Sequence, residues 1–500
     1  MFRENTKHNQ LSLFNTASFM NENVRKKLEK TWAPVFYEHV FCKTDEKPFA
    51  VLYSNTGHPN FPVNILLSLE YIKHLMNYTD DELIENFYFN YLVNCAVGIR
   101  TLGEINLAER TLYEFRSRVY RHTREHPGED DLIFGQFLKL LDEFASVAGL
   151  SADRQRMDST AFMSNIKKSG RLALAYDVLV KAVKAIPEEK RCGALKEVLA
   201  PEFKSSTLSR VRAAETASRM EAVLELCRLA QQVLKELCPG EETEELKLLN
   251  RFTIEQAEYQ DGRLKPKEDV PAASLQSAHD PDATFRLRGN KGQSSYVANI
   301  TETCSKENPF QAITDYKVAP NCTSDVQLIR ERLPRLTERT GCKEIYVDGG
   351  YYSPQTAKVQ EECGVEIHYT GITGRGPARK IELYEFAVDE QNCLITRCPA
   401  GAAPLRSAHK KNQFVAHFSL EQCAACALLD RMRAGIEATN SALKRRHGMD
   451  RLRVRGLHKC QVVVGLKVTA QNFRRFCRYI LEKIKTAAKS NTTHEVVFAH

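Results

Sequence analysis

The order of strand-like and helix-like segments between residues 157 and 446 constrains the fold more than any other feature of this chain. The segment MDSTAFMSNI, from Met157, is short and compatible with a β-strand. Amphipathic helical patterns such as YDVLVKAVKAI and MEAVLELCRLAQQVLKEL then extend from Ser169 to about Gln260. Long strand-like segments return only from Ser295. A sheet that contains the first strand must therefore be interrupted by a long helical segment.

The segments after this interruption alternate between strands and helices. SYVANITET, from Ser295, and FQAITDYKV, from Phe310, are predicted to pair as a hairpin. SDVQLIRERLPRL is a predicted helix with Ser324 as its N-cap, and KEIYVDGG and VEIHYTG are predicted strands separated by a second helix. The last helix carries Glu437 and follows a cysteine-containing loop. This order predicts an α/β protein whose ribonuclease-H-like core is interrupted by a helical insertion.

The residues before the first strand predict an all-α N-terminal domain. Apolar residues recur at helical spacing over residues 62–76, and the TDDE that starts at Thr79 is typical of a capping box. A further helix is predicted from Thr111. Three of its arginines lie near one another: Arg116, Arg118 and Arg121. These arginines fit a DNA-binding helical module, although basic helices are also common in helical domains that bind no DNA.

Five hundred residues are enough for several domains, each with its own core. We expect seven segments: a helical N-terminal DNA-binding domain (1–150), the first strand of the core (151–168), the helical insertion (169–260), a polar linker or exposed loop (261–294), the rest of the core (295–392), a cysteine-containing loop (393–428), and the helix of Glu437 with basic C-terminal helices (429–490).

Composition excludes several classes of protein. The apolar content of 43% and the charged content of 27% are ordinary for a globular chain. No run approaches the roughly 18 apolar residues of a membrane helix, and MFRENTKHNQLSLFN lacks the apolar core of an export signal. The 15 cysteines are an odd number scattered over a long chain, which favours a reduced, cytoplasmic protein over a disulfide scaffold. We therefore expect no membrane partner.

Positive charge is concentrated near the C-terminus. Residues 431–489 contain 16 Lys and Arg but only 3 Asp and Glu, which is a net charge of +13. Because the whole chain carries +8, the remainder carries about −5. This asymmetry favours a localised surface that binds a polyanion such as nucleic acid. The alternative is a solvated helix face that is rich in Lys and Arg.

Three acidic residues stand in contexts that suit phosphodiester chemistry: Asp158 in RMDSTAFMS, Asp348 in KEIYVDGGYYS and Glu437 in RMRAGIEATNSALKRRHG. Arg433, Glu437 and Lys444 stand at i, i+4 and i+11, which places them within roughly 40° of one another on a helix. One helix face would then offer a carboxylate flanked by two cations. Taken singly, each acid also fits a turn, a loop or an i,i+4 ion pair. Together, in this order of elements, they favour a functional site.

Three carboxylates can serve metal-dependent cutting of nucleic acid. Two divalent cations can activate an oxygen nucleophile and stabilise the leaving oxygen of a phosphodiester. Mg²⁺ prefers hard oxygen ligands, and Mn²⁺ can substitute for it at such sites. Gly349 and Gly350, which follow Asp348, would let the backbone approach a DNA strand closely. We therefore expect Mg²⁺ at Asp158, Asp348 and Glu437.

The chain resembles bacterial insertion-sequence transposases with a DDE catalytic domain. The resemblance is carried by MDST, by YVDGGYYS, and by the spacing of Arg433, Glu437 and Lys444. It extends to the N-terminal segment YSNTGHPNFPVNILLSLEYIKHLMNYTDDELIE with the later TLYEFRSR, and to RLRVRGLHKCQVVVGLKVTAQNFRR near the C-terminus. The chain departs from the family pattern at Asp430, where many members have a tyrosine.

The resemblance implies a mechanism and partners. Asp158, Asp348 and Glu437 would hold two Mg²⁺ ions, and the enzyme would cleave DNA at the ends of a mobile element and join the ends to a target. The implied partners are the double-stranded DNA of the terminal repeats and of the target. The protein would bind this DNA as a homodimer and would be associated with the bacterial nucleoid. The expected phosphate-binding residues are Arg433, Lys444, Arg445, Arg446, Tyr351, Tyr352, Arg451, Arg453 and Arg455. Two alternatives are a catalytically inactive DNA-binding descendant and a stand-alone nuclease.

Four cysteines form a candidate structural zinc site. They are arranged as two pairs, with the spacings C-x4-C and C-x2-C: Cys393, Cys398, Cys423 and Cys426. Such thiolate pairs can bind Zn²⁺ tetrahedrally, and His409 or His417 could replace one cysteine. The alternative is a group of reduced, partly buried cysteines in a loop. A zinc ion here would brace the loop before the helix of Glu437 and take no part in the chemistry.

Overall fold

The computed structural model describes residues 1–10, 15–126, 131–166, 170–210, 212–240, 242–260, 262–288, 291–370, 386–389, 391–392, 394–410, 413–419 and 434–492. The helices in these residues are α1 (Glu22–Leu28), α2 (Trp32–Phe36), α3 (Val63–Met76), α4 (Asp80–Phe89), α5 (Tyr91–Ala96), α6 (Glu109–Glu125), α7 (Leu132–Ala148), α8 (Arg171–Ala185), α9 (Gly193–Glu197), α10 (Pro201–Leu208), α11 (Ala213–Leu237), α12 (Glu244–Gln256), α13 (Asp325–Thr340), α14 (Pro354–Cys363), α15 (Ala434–Arg446) and α16 (Leu457–Thr492).

The strands are β1 (Arg154–Phe162), β2 (Ala257–Gln260), β3 (Arg263–Pro266), β4 (Thr284–Arg288), β5 (Lys291–Thr303), β6 (Ile313–Pro320), β7 (Glu344–Asp348), β8 (Glu366–Thr370), β9 (Ala387–Asp389), β10 (Leu394–Arg397), β11 (Arg406–Lys410) and β12 (Gln413–His417). The chain is thus a mixed α/β protein, as predicted. Among the described residues, no helix combines the length and the apolar character that crossing a membrane requires.

Helices α1 to α7 precede the first strand, as the helical patterns predicted. The predicted capping box is present at the start of α4. The Thr79 hydroxyl accepts a hydrogen bond from the Glu82 amide at 3.1 Å, and the Glu82 carboxylate accepts one from the Thr79 amide at 2.7 Å. These two bonds satisfy amide groups that would otherwise be unpaired at the helix start.

The long C-terminal helix α16 shares one hydrophobic core with the N-terminal helices. Its Phe473 packs edge-on against Phe36 with ring centroids 5.0 Å apart, and its Phe476 stacks on Phe144 at 4.6 Å. Burying such aromatic side chains is worth roughly 1.5–3 kcal/mol each. The N-terminal helices and the C-terminal helix therefore pack as one unit, although 308 residues lie between Ala148, at the end of α7, and Leu457, at the start of α16.

The main sheet has the strand order β6–β5–β1–β7–β8, and β4 pairs with the first residues of β5. Strand β5 is antiparallel to both β1 and β6, whereas β7 is parallel to β1 and to β8. The predicted hairpin of β5 and β6 is present, and Ser324 caps α13 by accepting a hydrogen bond from the Gln327 amide at 3.2 Å. Helices α13 and α14 provide the crossovers that the parallel strands β7 and β8 require.

The five helices α8 to α12 lie between β1 and the rest of the sheet in sequence, where helical patterns were predicted. They bury a hydrophobic cluster of their own, which includes Leu179, Leu224, Cys227 and Phe252, each 0% exposed. The apolar stripes that repeat along α8, α11 and α12 face this cluster.

Residues 261–294, expected to be a linker or exposed loop, contain more packed structure than the sequence indicated. They include β3, β4 and the start of β5, and Leu275 and Ala278 are buried at 0% and 1% exposure. The buried carboxylate of Asp280 accepts hydrogen bonds from Ser164, at 2.7 Å, and from Tyr296. Apolar residues are too widely spaced among polar ones here for a periodic pattern to be visible.

Candidate active site

Two of the predicted acids stand on neighbouring parallel strands. The pairing of β1 with β7 ends with Arg156 opposite Tyr346. Asp158 and Asp348 each follow this last pair by two residues. Both acids are half-buried. Because side chains alternate between the two faces of a sheet, both carboxylates project to the face that Arg156 and Tyr346 share.

The helix that carries the third acid, Glu437, is hydrogen-bonded to the first acid, Asp158. The Asn440 side-chain amide on α15 donates a hydrogen bond to Asp158 Oδ2 at 3.1 Å. Glu437 precedes Asn440 by three residues, so both side chains project from one face of α15. Glu437 itself is exposed. Three segments that are far apart in sequence are thus brought together at one edge of the sheet.

A buried ion cluster holds α15 in this position. Glu302 on β5 is 0% exposed, and its Oε1 lies 2.7 Å from the Arg156 guanidinium. Its Oε2 accepts hydrogen bonds from the Thr439 hydroxyl at 2.7 Å and from Arg475 at 2.9 Å. Thr439 stands two residues after Glu437. One buried carboxylate thereby connects β1, β5, α15 and α16, and we call these four side chains the Glu302 clamp.

Gly435 lets α15 approach the Glu302 clamp. A Cβ atom at this position would lie within 3.0 Å of the Arg156 guanidinium, a separation that Cβ atoms in proteins do not adopt. The helix start therefore packs its backbone directly against a buried cation. Any side chain at Gly435 would have to displace either Arg156 or the helix. The sequence around Glu437 gave no sign of this constraint, because a glycine in a helix start has several ordinary explanations.

Tyr351, three residues after Asp348, is buried inside the protein. Its ring is 1% exposed, and its hydroxyl is hydrogen-bonded to Ser159 and to the Asn299 amide, both at 2.8 Å. Burial, followed by the charges of Asp325, Asp158 and Asp348, raises the pKa of Tyr351 well above its ordinary value. We expected Tyr351 to contact phosphate, and its burial corrects that expectation.

Tyr352, the next residue along the chain, is placed differently. Its side chain is 57% exposed, and its ring lies edge-on to that of Tyr369 with centroids 5.4 Å apart. Of the two tyrosines that follow Asp348, only Tyr352 can therefore be reached by a ligand.

Asp325 adds a fourth carboxylate to this region, which no motif in the sequence indicates. A Cβ atom at Gly350 would lie 2.9 Å from Asp348 Oδ1 and 3.4 Å from Asp325 Oδ2, so both carboxylates approach the backbone of Gly350. Arg286 lies 3.4 Å from the same Asp325 oxygen. The close approach that Gly350 permits is therefore to these two acids. An aspartate directly after a serine N-cap is expected for helix reasons alone, so the sequence carried no further signal.

The predicted phosphate-binding cations differ in their solvent exposure and in the groups they contact. Lys444 is half-buried, 3.8 Å from Asp450, whereas Arg445 and Arg446 are exposed. Arg451 and Arg455 are exposed but donate to backbone carbonyls of Ile166 and Asn165, at 3.3 and 2.6 Å. Arg453 is exposed as well. Arg433 lies outside the described residues.

The three arginines of α6 are likewise not equivalent. Arg116 is ion-paired with Glu70 and Asp80, both at 2.6 Å. Burial lowers the pKa of Arg116, but the two carboxylates outweigh burial and raise this pKa above its ordinary value. Arg118 lies over the Tyr53 ring at 5.0 Å. Arg121 is exposed. The expected cluster is therefore divided, and Arg116 is part of the internal structure of the N-terminal helices.

The donor set at the three acids suits Mg²⁺, because carboxylate oxygens are the hard ligands that this ion prefers. Within the described residues, however, no three His, Cys, Asp or Glu side chains stand close enough to one another to hold a metal ion. The structure thus brings Asp158 and Asp348 together and places the helix of Glu437 beside them, without a closed three-ligand arrangement.

The candidate zinc site falls largely on residues that the structure does not describe. Cys393, Cys423 and Cys426 lie outside the described residues. Cys398 is half-buried in a turn after β10, where its carbonyl accepts a hydrogen bond from the Gly401 amide at 2.8 Å. His409 and His417 are exposed on the hairpin of β11 and β12. The zinc site therefore stays a prediction.

Comparison with known proteins identifies one similarity. A family model described as a transposase DDE domain matches residues 427–477. The match includes Glu437, Lys444 and the basic residues 451–459, and it ends inside α16. It supports a DDE transposase and, with it, DNA as a partner in general. None of the curated proteins and none of the solved structures in the comparison matches the chain significantly.

Proposed function

We propose that this chain is the DDE transposase of a bacterial insertion sequence, which cleaves DNA at the element ends and transfers the strands to a target. The observation that carries the proposal is the meeting of three acidic segments at one sheet edge. Asp158 and Asp348 lie on one face of the adjacent parallel strands β1 and β7, each two residues beyond the last paired residues. The Asn440 amide, on the helix of Glu437, donates a hydrogen bond to Asp158. The family match covers this helix independently of the other two segments.

The sheet supports a ribonuclease-H-like core within this proposal. In the order β6–β5–β1–β7–β8, only β5 runs antiparallel to its neighbours, and β7 and β8 run parallel to β1. We regard the five helices α8 to α12 as an insertion between the first two strands of that core. Their separate hydrophobic cluster favours this view, because an insertion must bury its own apolar faces.

Asp158, Asp348 and Glu437 would hold two Mg²⁺ ions, for which Mn²⁺ can substitute. When bound, such ions activate the attacking oxygen and stabilise the leaving oxygen of a phosphodiester. Asn440 orients the Asp158 carboxylate by donating to one of its oxygens, and the Glu302 clamp keeps α15 against the sheet. Lys444 follows Glu437 by two helical turns, so its ammonium projects from the same face towards the phosphate that the acids would engage.

The proposed partners follow from this reaction. We propose that the bound nucleic acid is the double-stranded DNA of the terminal repeats and then of the target, held by a homodimer in the bacterial cytoplasm, at the nucleoid. The exposed Arg445, Arg446, Arg451 and Arg453, together with Tyr352, would contact the DNA backbone. A structural Zn²⁺ at the four cysteines would brace the loop before α15.

The proposal is tested with a supercoiled plasmid that carries the gene with its native flanking DNA. Purified protein and Mg²⁺ should produce breaks at the element ends and products joined to a target. Glu437→Gln and Asp158→Asn should abolish both products, because each removes one anionic ligand. Glu361→Gln is the matched control, since Glu361 is an exposed carboxylate on the separate helix α14.

The products also separate the proposal from its alternatives. Free ends without joined DNA would indicate a nuclease. DNA binding without cleavage, in both Mg²⁺ and Mn²⁺, would indicate an inactive DNA-binding protein. Cleavage that survives in Glu437→Gln would refute the assignment of the third acid.

A further inference from the structure

A basic groove lies between the N-terminal and C-terminal parts of the chain, outside the carboxylate site. One wall is α6, and the other is the turn that leads into α16. Its volume is about 630 Å³. Five Lys and Arg side chains line it against two aspartates: Arg116, Arg121, Arg124, Arg455 and Lys459 against Asp80 and Asp282. We call this feature the α6–α16 groove.

The cations of the α6–α16 groove differ in their freedom to bind a ligand. Arg116 and Asp80 are bound to each other at 2.6 Å, so neither contributes a free charge. Arg121, Arg124 and Lys459 are exposed, and none of them makes an ion pair with a described residue. Three exposed cations therefore line a space in which Asp282 is the remaining acid among the described lining residues.

The turn that forms the second wall directs the start of α16 into the groove. Gly456 has a φ of +87°, a left-handed conformation that side chains rarely adopt, and α16 begins at the next residue. The first amide groups of a helix carry partial positive charge and bind phosphate oxygens. Here they reinforce the cations of the groove, because Gly456, Leu457 and His458 all line it.

The groove also stands at a fixed distance from the proposed catalytic acids. Met163 pairs with Arg451, and the Asn165 amide donates to the Val454 carbonyl at 2.8 Å, so the chain that follows β1 lies beside the basic turn. Asn165 is seven residues after Asp158, and an extended chain advances about 3.3 Å per residue. Val454, the first residue of the turn that lines the groove, thus lies at most roughly 23 Å from Asp158, which is about seven nucleotide steps along a DNA strand.

We propose that the α6–α16 groove binds the phosphate backbone of double-stranded DNA within about seven nucleotides of the scissile phosphate. The inference rests on the proposed transposase function for the identity of the polyanion. Each tyrosine ring of the groove already has a cation beside one face, which favours backbone binding over the stacking of unpaired bases. Lys459 lies over Tyr120 at 5.6 Å, and Arg116 lies over Tyr113 at the same distance.

The test compares two variants that each lose three positive charges. The groove variant is Arg121→Gln, Arg124→Gln and Lys459→Gln. The control variant is Lys204→Gln, Lys235→Gln and Lys358→Gln, which removes exposed lysines from α10, α11 and α14. Binding of the full chain to a fluorescent 30-base-pair duplex is measured by anisotropy between 50 and 300 mM KCl, without divalent ions. A single-stranded oligonucleotide and poly-glutamate serve as competing probes.

We expect the groove variant to bind the duplex at least about tenfold more weakly than the control variant at 150 mM KCl. The slope of log K against log salt should become less steep by about 2–3, since each lost phosphate contact contributes roughly 0.9. Equal slopes for the two variants would overturn the proposal. So would a loss of affinity that is as large for poly-glutamate, or larger for the single strand than for the duplex.

This outcome is separable from the test of the proposed function. Cleavage by the unmodified chain together with unchanged duplex binding by the groove variant would refute the groove alone. If the groove variant specifically loses duplex binding but the unmodified chain never cleaves DNA, the groove proposal would be supported and the transposase activity refuted. Failure of the unmodified chain to bind the duplex at 50 mM KCl would overturn the groove.

Discussion

Replacement of Gly435 by alanine tests whether the Glu302 clamp positions the helix of the third acid. The new methyl group would overlap the Arg156 guanidinium, so either Arg156 shifts away from Glu302 or the start of α15 withdraws from the sheet. Overpacking a buried site costs about 1–3 kcal/mol, and complete loss of one partner of a buried pair costs about 3–5 kcal/mol. Because Glu302 keeps Arg475, we expect a cost of about 2 kcal/mol.

The cost should appear locally in α15. Hydrogen exchange followed by mass spectrometry measures the free energy of local opening, and a loss of about 2 kcal/mol accelerates exchange roughly 30-fold. We expect this acceleration in peptides from α15 and little change in α8, which packs in a separate core. DNA cleavage should fall in parallel, because Glu437 shares the helix that has moved.

Gly193→Ala is the matched control for this prediction. Gly193 also stands in the first turn of a helix, and a Cβ atom there would have no neighbour within 4 Å. Its replacement should leave exchange in α15 unchanged. In a chain that already carries Arg156→Ala, the additional effect of Gly435→Ala should disappear, because the overlapping group is gone. Equal exchange rates in Gly435→Ala and Gly193→Ala would refute the reasoning.

Three further predictions concern buried polar side chains: Lys467, Asn440 and Tyr351. Burial, followed by the charges of Lys73 and Arg453, lowers the pKa of Lys467 to about 7. Between pH 7 and 10 the unfolded chain therefore binds more protons than the folded chain, so the free energy of unfolding should rise by roughly 3.5 kcal/mol over this range. Denaturant titrations of Lys467→Met should show no such rise. Asn440→Ala removes a hydrogen bond to a carboxylate that is worth about 1.5–3 kcal/mol, and it should slow cleavage at least about tenfold with an unchanged circular dichroism spectrum. An unchanged cleavage rate would contradict that role. Tyr351→Phe should destabilise the chain by about 1–2 kcal/mol without loss of DNA affinity, whereas Tyr352→Phe should leave stability unchanged; a loss of affinity in Tyr351→Phe alone would restore the phosphate contact first expected there.

Much of the fold could be predicted because local signals agreed with the tertiary structure. The Thr79 capping box, the Ser324 N-cap and the hairpin of β5 and β6 all form as the sequence indicated. The interruption between β1 and the rest of the sheet also follows the predicted order of elements, with α8 to α12 between them. Such features depend on short-range periodicity and turn chemistry, which a single sequence contains.

Long-range side-chain contacts could not be predicted in this way. Glu302 stands among threonines in a strand, where an acid is usually solvated, yet it is 0% exposed and bound to two arginines from distant segments. Similarly, Tyr351 resembled a surface residue beside a glycine-rich turn but is buried under the aspartates. The burial of a polar side chain depends on partners that folding brings together, and no local pattern encodes those partners.

Electron paramagnetic resonance of bound Mn²⁺ tests the central claim most directly, because it reports metal binding at the acids independently of cleavage. The unmodified chain should bind Mn²⁺, and Mg²⁺ should compete for the same site. Asp158→Asn, Asp348→Asn and Glu437→Gln should each weaken Mn²⁺ binding at least about tenfold, whereas Glu361→Gln should bind as the unmodified chain does. Equal Mn²⁺ binding by all five proteins would contradict the assignment of Asp158, Asp348 and Glu437 as one metal-binding site.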